Sequence, residues 1–327
     1  MISIVMPVKN AAPVLKETIA SILLQSTDNW ELIAVDDHST DTSFEILQHY
    51  SQEDSRVKCF RNPGRGIIDA LSHAFTHSCG EFISRMDADD VMHPQKLEKL
   101  ANGLQEKKEA IITSKVRYFS AQPLGGGYKK YEEWLNQRMD RQDHYEFIYK
   151  ECVLPSPNWM MHRSTLSRLG GFQSLEYPED YDLCFKAYAN GIELIGLPDV
   201  LHQWRDYPER TSRNDPNYAD NTFTTLKVRH FIAIDYSPHH VLCIWGAGNR
   251  GKRIAKELRK YGVNFQWITD NPKKIGHFIY EVQISASHTL ENPEKTQLII
   301  AVSNPVEQKE IDEQLQHLKM YKTYWFC

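Results

Sequence analysis

No apolar run in this chain approaches the roughly 20 residues that a membrane-spanning helix requires. Its first residues carry neither a basic n-region nor a long apolar h-region, so no signal peptide is expected. It also has no Cys-x-x-Cys pair. The six cysteines, Cys59, Cys79, Cys152, Cys184, Cys243 and Cys327, are scattered, which argues against a disulfide framework or a zinc site and fits reduced thiols in a cytosol. There is no excess of positive charge: the formal net charge is −5, and a nucleic-acid partner, which wants a basic face, is not expected. Repeats and low-complexity tracts are missing too. What is present, 327 residues with 41% hydrophobic and 25% charged content, has the composition of a soluble globular protein of one large or two ordinary domains. A cytoplasmic location is the expectation, and peripheral contact with the inner membrane face and self-association into a homo-oligomer are both compatible with it.

Hydrophobic periodicity places strands at 2–6, 30–35, 57–60 and 81–86, and helices at 13–25, 41–50 and 66–77. Asp41 or Thr40 is the expected N-cap of the second helix. Strands alternating with helices predict a parallel sheet of the α/β class, whose ligands sit beyond the carboxyl ends of the strands. Pro7 to Asn10, Asp36 to Asp41 and Asp87 to Asp90 all fall at such ends. Gly125-Gly126-Gly127 reads as a flexible break, and residues 130–150, rich in aromatics and in charges of both signs, read as an amphipathic helical excursion. Another helix opens at Glu179-Asp180-Tyr181-Asp182-Leu183 and ends near Asn190-Gly191, followed by a strand over 192–197 and a helix near 219–233. Ser237-Pro238-His239-His240 is the expected linker between a domain over 1–236 and a second over 240–327.

The most informative stretch is Arg85-Met86-Asp87-Ala88-Asp89-Asp90. In an extended segment residues two apart point to one face, so Asp87 and Asp89 project together at the mouth of a strand. Two adjacent carboxylates need compensation, and a hard divalent cation that shares its other positions with substrate phosphates supplies it. An acidic loop tip is the alternative for so short a motif. His38, His93, His162 and His202 are isolated in the sequence and read as structural or exposed.

Four blocks together resemble the inverting GT-A glycosyltransferases of family 2, which use nucleotide-diphosphate sugars. They are Ile4-Val5-Met6-Pro7-Val8-Lys9-Asn10, Val35-Asp36-Asp37-His38-Ser39-Thr40-Asp41, Gly80 through Asp90, and Gly170-Gly171-Phe172 followed by Glu179-Asp180-Tyr181-Asp182-Leu183. The resemblance spans about residues 1–215. It implies a mixed doubly wound sheet in which Pro7 stiffens the loop after the first strand and the backbone near Asn10 borders the nucleotide. It further implies that Asp36 and Asp37 grip the uridine and that Asp89 binds Mn²⁺ or Mg²⁺, with Asp87 beside it on the ribose or donor sugar. Arg61 and Arg85 are placed near the base or diphosphate, or else in surface ion pairs. Asp180 matches the family's general base. The helix dipole favours its charged form, while Glu179 and Asp182 are expected to raise its pKa. Arg205, Arg210 and Arg213 are read as a lid over the diphosphate. In the same segment this chain departs from relatives that carry a histidine where Asp206 or Tyr207 stands. Gln-x-x-Arg-Trp, found in processive synthases, is missing, which argues for transfer of a single sugar. The expected donor is a UDP-sugar, with dTDP and GDP sugars open, and the expected acceptor is a surface glycan or its lipid-linked precursor. A catalytically inactive nucleotide-sugar scaffold is the rival reading.

Near the C-terminal end, Gly246-Ala247-Gly248-Asn249-Arg250-Gly251 has the spacing G-x-G-x-x-G between a strand and a helix, with Asp270 19 residues after Gly251. That is the context of a dinucleotide fingerprint, with a helix N-terminus offered to a phosphate. The expectation is a small Rossmann-like domain that binds a nucleotide, serves regulation or assembly, or carries NAD(P)-linked sugar chemistry.

Overall fold

The computed structural model describes residues 1–208, 223–318 and 320–327. These fall into two compact units, one of residues 1–145 and 152–208, the other of residues 146–151 and 223–327. The expected linker at 237–240 therefore lies within the second unit.

The first unit runs β1 (Ile2–Val8), α1 (Ala12–Leu23), β2 (Trp30–Asp36), α2 (Ser43–Glu53), β3 (Val57–Arg61), α3 (Ile67–His77), β4 (Phe82–Arg85), β5 (Val91–Met92), α4 (Lys96–Leu104), β6 (Ala110–Phe119), α5 (Gly126–Arg141), β7 (Trp159–His162), α6 (Arg163–Arg168), α7 (Glu179–Ala189) and β8 (Glu193–Arg205). Its eight strands form one sheet in the order β3-β2-β1-β4-β7-β6-β8-β5. The pairings β3–β2, β2–β1, β1–β4 and β6–β8 are parallel. β7 is antiparallel to both β4 and β6, and β5 is antiparallel to β8. The sheet is thus mixed, as the family resemblance implies, where alternation alone predicts a parallel one. Because β7 reverses direction between β4 and β6, those two strands run the same way. The carboxyl ends of β1, β2, β3, β4, β6 and β8 consequently share one edge, to which Val8, Asp36, Arg61, Arg85, Phe119 and Arg205 belong.

Leu15, Ile19 and Ile22 of α1 recur at helical spacing and are fully buried with Ile4, Met6 and Leu32 of the sheet. Each such side chain contributes about 1.5–3 kcal/mol. No side chain of α1 itself caps its N-terminus. Its unsatisfied amides are taken up by the next loop: Ala11 N donates to Ser43 Oγ at 2.8 Å and Ala12 N to Asp41 Oδ2 at 3.0 Å, so burial of the helix start costs no unpaired donor. The N-cap of α2 is Thr42, with no side-chain cap bond. Asp41, one residue earlier, accepts from Ser43 N at 3.0 Å. The triple glycine is no break: Gly125 is the N-cap and Gly126–Gly127 the first turn of α5.

The second unit contains α8 (Thr224–Ile234), β9 (Val241–Trp245), α9 (Asn249–Lys260), β10 (Gln266–Thr269), β11 (Phe278–Ile279), β12 (Val282–Ala286), β13 (Thr296–Ile300), α10 (Pro305–Leu315) and β14 (Lys322–Trp325). The sheet order is β11-β12-β10-β9-β13-β14, parallel except for the β11–β12 pair. Setting β11 aside, the remaining strands follow the 3-2-1-4-5 order of doubly wound dinucleotide folds. Residues 146–151 belong to this unit through Tyr149, which stacks on Phe326 at 5.0 Å and donates to Asp235 Oδ2 at 2.8 Å. Among the described residues no helix is long and apolar enough to cross a membrane.

Candidate active site

Loops after β1 and β2 are knitted together. Asn10, at φ 50°, donates its amide to Ser39 Oγ at 2.9 Å and accepts from Thr40 N at 2.8 Å. Pro7 lies inside β1, opposite Val35, rather than in the loop after the strand. It is tolerated there because β4 stops pairing with β1 at Val5, so no ladder bond is lost where the proline nitrogen carries no hydrogen.

The paired aspartates at the end of β2 have different surroundings. Asp37 Oδ1 accepts from Asn62 Nδ2 at 2.7 Å and Gly66 N at 2.9 Å, and Lys9 Nζ lies 3.3 Å from Oδ2. Burial pushes its pKa up, but these donors outweigh burial and hold it below the usual carboxylate value. Asp37 thereby folds the 62–66 loop onto the strand ends. Asp36 is 1% exposed. Its Oδ2 accepts from Ser39 N at 3.3 Å and lies 3.7 Å from Arg61 Nη1, while Oδ1 is buried with no hydrogen-bond partner among the described residues. A buried carboxylate oxygen with no donor is costly unless a ligand supplies one. Arg61 is exposed, over the Phe44 ring at 3.8 Å.

At the end of β4, Arg85 is buried. Its Nε donates to Asp87 Oδ1 at 3.0 Å and its Nη1 to Glu179 Oε1 at 2.8 Å. Burial alone would lower its pKa, yet Asp87, Glu179 and Asp180 raise it, so it is a permanent cation inside an acidic cluster. That burial corrects the surface-pair alternative for Arg85, whose Nε and Nη1 face protein carboxylates. Asp180, half-buried in the first turn of α7, accepts from its neighbour Tyr181 N at 2.8 Å. Burial, then Glu179, push its pKa up to about 7 against the opposing pull of Arg85. Asp182 Oδ2 accepts from Glu176 N at 3.0 Å and lies 3.3 Å from Lys186 Nζ. Glu179 Oε2 is buried without a partner among the described residues.

Asp89 sits between β4 and β5. Its carboxylate accepts from Tyr207 Oη at 2.9 Å, and its backbone carbonyl accepts from Arg205 Nε at 2.6 Å. Arg205 Nη2 reaches Glu17 at 2.6 Å, so this arginine is committed to Glu17 and Asp89 rather than poised as a lid. Arg210 and Arg213 lie outside the described residues. Asp87 and Asp89 offer hard carboxylate oxygens, and no cluster of three or more metal-binding side chains forms among the described residues. Such a sparse donor set fits Mg²⁺ or Mn²⁺, ions that take one or two carboxylates and complete their shell with water and substrate phosphate.

His202, read from sequence as isolated, is fully buried between two charged groups: Nε2 is 2.9 Å from Asp90 Oδ2 and Nδ1 is 3.0 Å from Lys96 Nζ. Burial pushes the Lys96 ammonium down to about 7, opposed by Asp90 and Asp87. Sequence reasoning missed Lys96, Asn62 and His202 as participants, and it placed Glu179 beside Asp180 without its bond to Arg85. Only Glu179 had a sequence signal, its place beside Asp180.

In the second unit the glycine loop has the shape its spacing implies. Gly246 takes φ +119°, and a Cβ on Gly251 would stand 1.9 Å from Gly246 O, so only glycine lets α9 approach β9 this closely. Gly248 is the N-cap of α9. Asp270, the acidic residue of the fingerprint, accepts from Trp245 Nε1 at 2.7 Å and from Ser287 Oγ. Lys274 Nζ donates to Ala247 O at 2.8 Å. No comparison with known proteins supports NAD(P) here.

A mixed sheet with acidic loops at its strand ends and an acid-headed helix beside them is a GT-A-like architecture. The family model described as Glycosyl transferase family 2 matches residues 3–170, and the chain belongs to that family. It is 31% identical to glycosyltransferase GlyG of Streptococcus pneumoniae serotype 4, over 63% of this chain and 70% of that protein. It is 28% identical to putative glycosyltransferase EpsE of Bacillus subtilis (strain 168), over 73% and 85%. Among solved structures it resembles S. aureus TarS 1-349 in complex with UDP-GlcNAc (TM-score 0.57, 17% identity, 80% of this chain and 72% of that one). It also resembles mannosyltransferase PcManGT from Pyrobaculum calidifontis in complex with GDP-Man and Mn²⁺ (TM-score 0.52, 20% identity, 71% and 63%). At these identities the structural likeness speaks to fold alone.

Proposed function

We propose that this glycosyltransferase moves a hexosyl group from a nucleotide-diphosphate sugar, of the UDP class, to a hydroxyl of a surface glycan or its lipid-linked precursor, with inversion at the anomeric carbon. The observation that carries this reading is the Arg85 bridge: one buried cation ties Asp87, on the donor side, to Glu179, next to Asp180. Donor carboxylate and candidate base are thereby parts of one electrostatic unit. Asp180, with its pKa raised to about 7, takes the acceptor's proton as the hydroxyl oxygen attacks the anomeric carbon. A general base is most effective when its pKa lies near the working pH. The bond to the diphosphate breaks on the opposite face, and the leaving group departs with the electron pair. Asp89, with Asp87, would hold the divalent cation, which when bound supplies positive charge to that leaving group. Asp36, whose buried Oδ1 lacks a donor among the described residues, suits the nucleoside's imide or hydroxyl, while Asp37 and Asn10 hold the loops that border it.

The test is a titration with UDP, GDP, dTDP and CDP, each with and without Mn²⁺, followed by hydrolysis and transfer assays with the sugars of whichever nucleotide binds. Metal-dependent binding of one nucleotide, lost in Asp89→Ala, is expected. If none binds, the donor-site reading fails. Binding without any hydrolysis or transfer would favour an inactive sugar-nucleotide scaffold.

A further inference from the structure

Asp90 forms no part of the donor or base roles assigned above, yet it is fully buried immediately after the metal-binding position. From it a chain of side chains runs inward. Asp90 Oδ2 meets His202 Nε2 at 2.9 Å, His202 Nδ1 meets Lys96 Nζ at 3.0 Å, and Lys96 Nζ also donates to Pro157 O at 2.8 Å. With Lys96 as the ammonium, which has only donors, His202 Nδ1 accepts. The ring proton is then on Nε2 and is donated to Asp90. The tautomer is fixed by its neighbours.

Outward, the same carboxylate reaches the active site. Asp90 Oδ1 accepts from Arg205 N at 2.8 Å, and the Arg205 side chain donates to Asp89 O at 2.6 Å. Two residues on, Tyr207 donates to the Asp89 carboxylate at 2.9 Å. Two side chains that hold Asp89, those of Arg205 and Tyr207, thus come from the end of β8 and just beyond it, and that strand end is pinned by Asp90.

A buried lysine is expensive unless its charge is compensated. A pair of apolar side chains would pack β5 against β8 without that cost. What the polar chain adds is direction. It fixes one orientation of the Asp90 carboxylate, and with it the backbone of Arg205, as outer-shell partners fix the ligands of metal sites. We propose that Lys96 and His202 are positioning residues of the transferase, acting through Asp90 and Arg205 to hold Asp89 in its cation- and donor-binding geometry. The inference rests on the functional reading of Asp89 given above.

The experiment uses the full chain and three variants, Lys96→Met, His202→Gln and Asp90→Asn, whose folding is first checked by thermal melting. Two readouts follow. Hydrogen exchange at the Arg205 amide, measured without metal or nucleotide, should quicken at least tenfold in each folded variant. The ring ¹⁵N shifts of His202 in the wild type should report a neutral Nε2–H tautomer. Affinity for Mn²⁺ with UDP should fall about tenfold in the same variants, while Lys99→Met, one turn away on α4 and paired to Asp199 at 2.7 Å, changes neither readout. Asp90→Asn, nearly isosteric, keeps the test open if Lys96→Met does not fold. Unchanged Arg205 exchange, or unchanged Mn²⁺–UDP affinity in folded variants of a wild type that binds, overturns the positioning role. A wild type that binds no nucleotide while the exchange effect persists overturns the donor reading instead, and with it any role of the chain in the reaction.

Discussion

Arg85 and Glu179 are separated by 94 positions in sequence and by 2.8 Å in space, and both are almost wholly buried. The contact binds the end of β4 to the first turn of α7. Removing one partner of a buried pair strands the other charge, at a cost of about 3–5 kcal/mol. Arg85→Met should lose stability on that scale in denaturant melts. Arg85→Lys should lose less, because a charge remains although the two-pronged contact does not.

Asp180 sets an expected pH dependence. Its pKa is raised to about 7, so the base is protonated below that value and ionised above it. The kcat/KM profile should therefore rise through an acid limb near pH 7. Asp180→Asn should abolish the limb and lower kcat by about 10²–10⁴ with nucleotide affinity retained. Since Arg85 holds the Asp180 pKa down, folded Arg85→Lys should leave the limb near its place, whereas neutralising residue 85 should move it upward.

The two aspartates ending β2 should respond oppositely. Asp37→Asn weakens the acceptor for Asn62, Gly66 and Lys9 and should destabilise by about 1–3 kcal/mol. Asp36→Asn removes a buried charge with one oxygen that has no partner among the described residues. It should be neutral or slightly stabilising in a melt while weakening nucleotide binding about tenfold, as read by calorimetry.

Glu31 gives the first unit an acid-sensitive element away from the site. Burial pushes its pKa up, but Lys58, Ser3 and Cys79 outweigh that and bring it from 4.5 to about 2. A depressed carboxylate stabilises above its unfolded value and loses that contribution as pH falls through the folded one. Chemical denaturation at pH 7 and pH 2 should differ less in Glu31→Gln than in wild type, by about 3 kcal/mol.

In the second unit, Gly251→Ala would put a methyl group 1.9 Å from Gly246 O, forcing α9 off the sheet. An overpacking loss of about 1–3 kcal/mol is expected, visible as a lower melting transition of that unit.

Periodicity and capping residues made the β/α alternation of residues 1–86 and the strand–loop–helix at Gly246 readable, because those segments are locally self-consistent. β6, β7, α4 and the pair β11–β12 were not readable. They are short, or lie in stretches whose apolar pattern is broken by polar residues such as Lys115 and Asn158, which pair with the distant Asp140 and Ser114. The acidic stretch at Asp87 and Asp89 was legible as an oxygen-rich strand end. That Arg85 faces inward was not, since only the arrival of Glu179 at the same point makes its burial affordable.

Sequence by itself determined the alternating architecture, the set of carboxylates at the strand ends and the glycines that a close helix–strand contact demands, since each follows from local geometry and residue chemistry. Tertiary structure decided which of those groups work together. It turned β7 so that six strand ends share an edge, committed Asp37 to its loop while leaving an Asp36 oxygen without a donor among the described residues, and joined His202 to Lys96 and Asp90. The physical reason is that burial and long-range pairing set the electrostatics of a carboxylate or an imidazole, and neither is encoded by a residue's immediate neighbours.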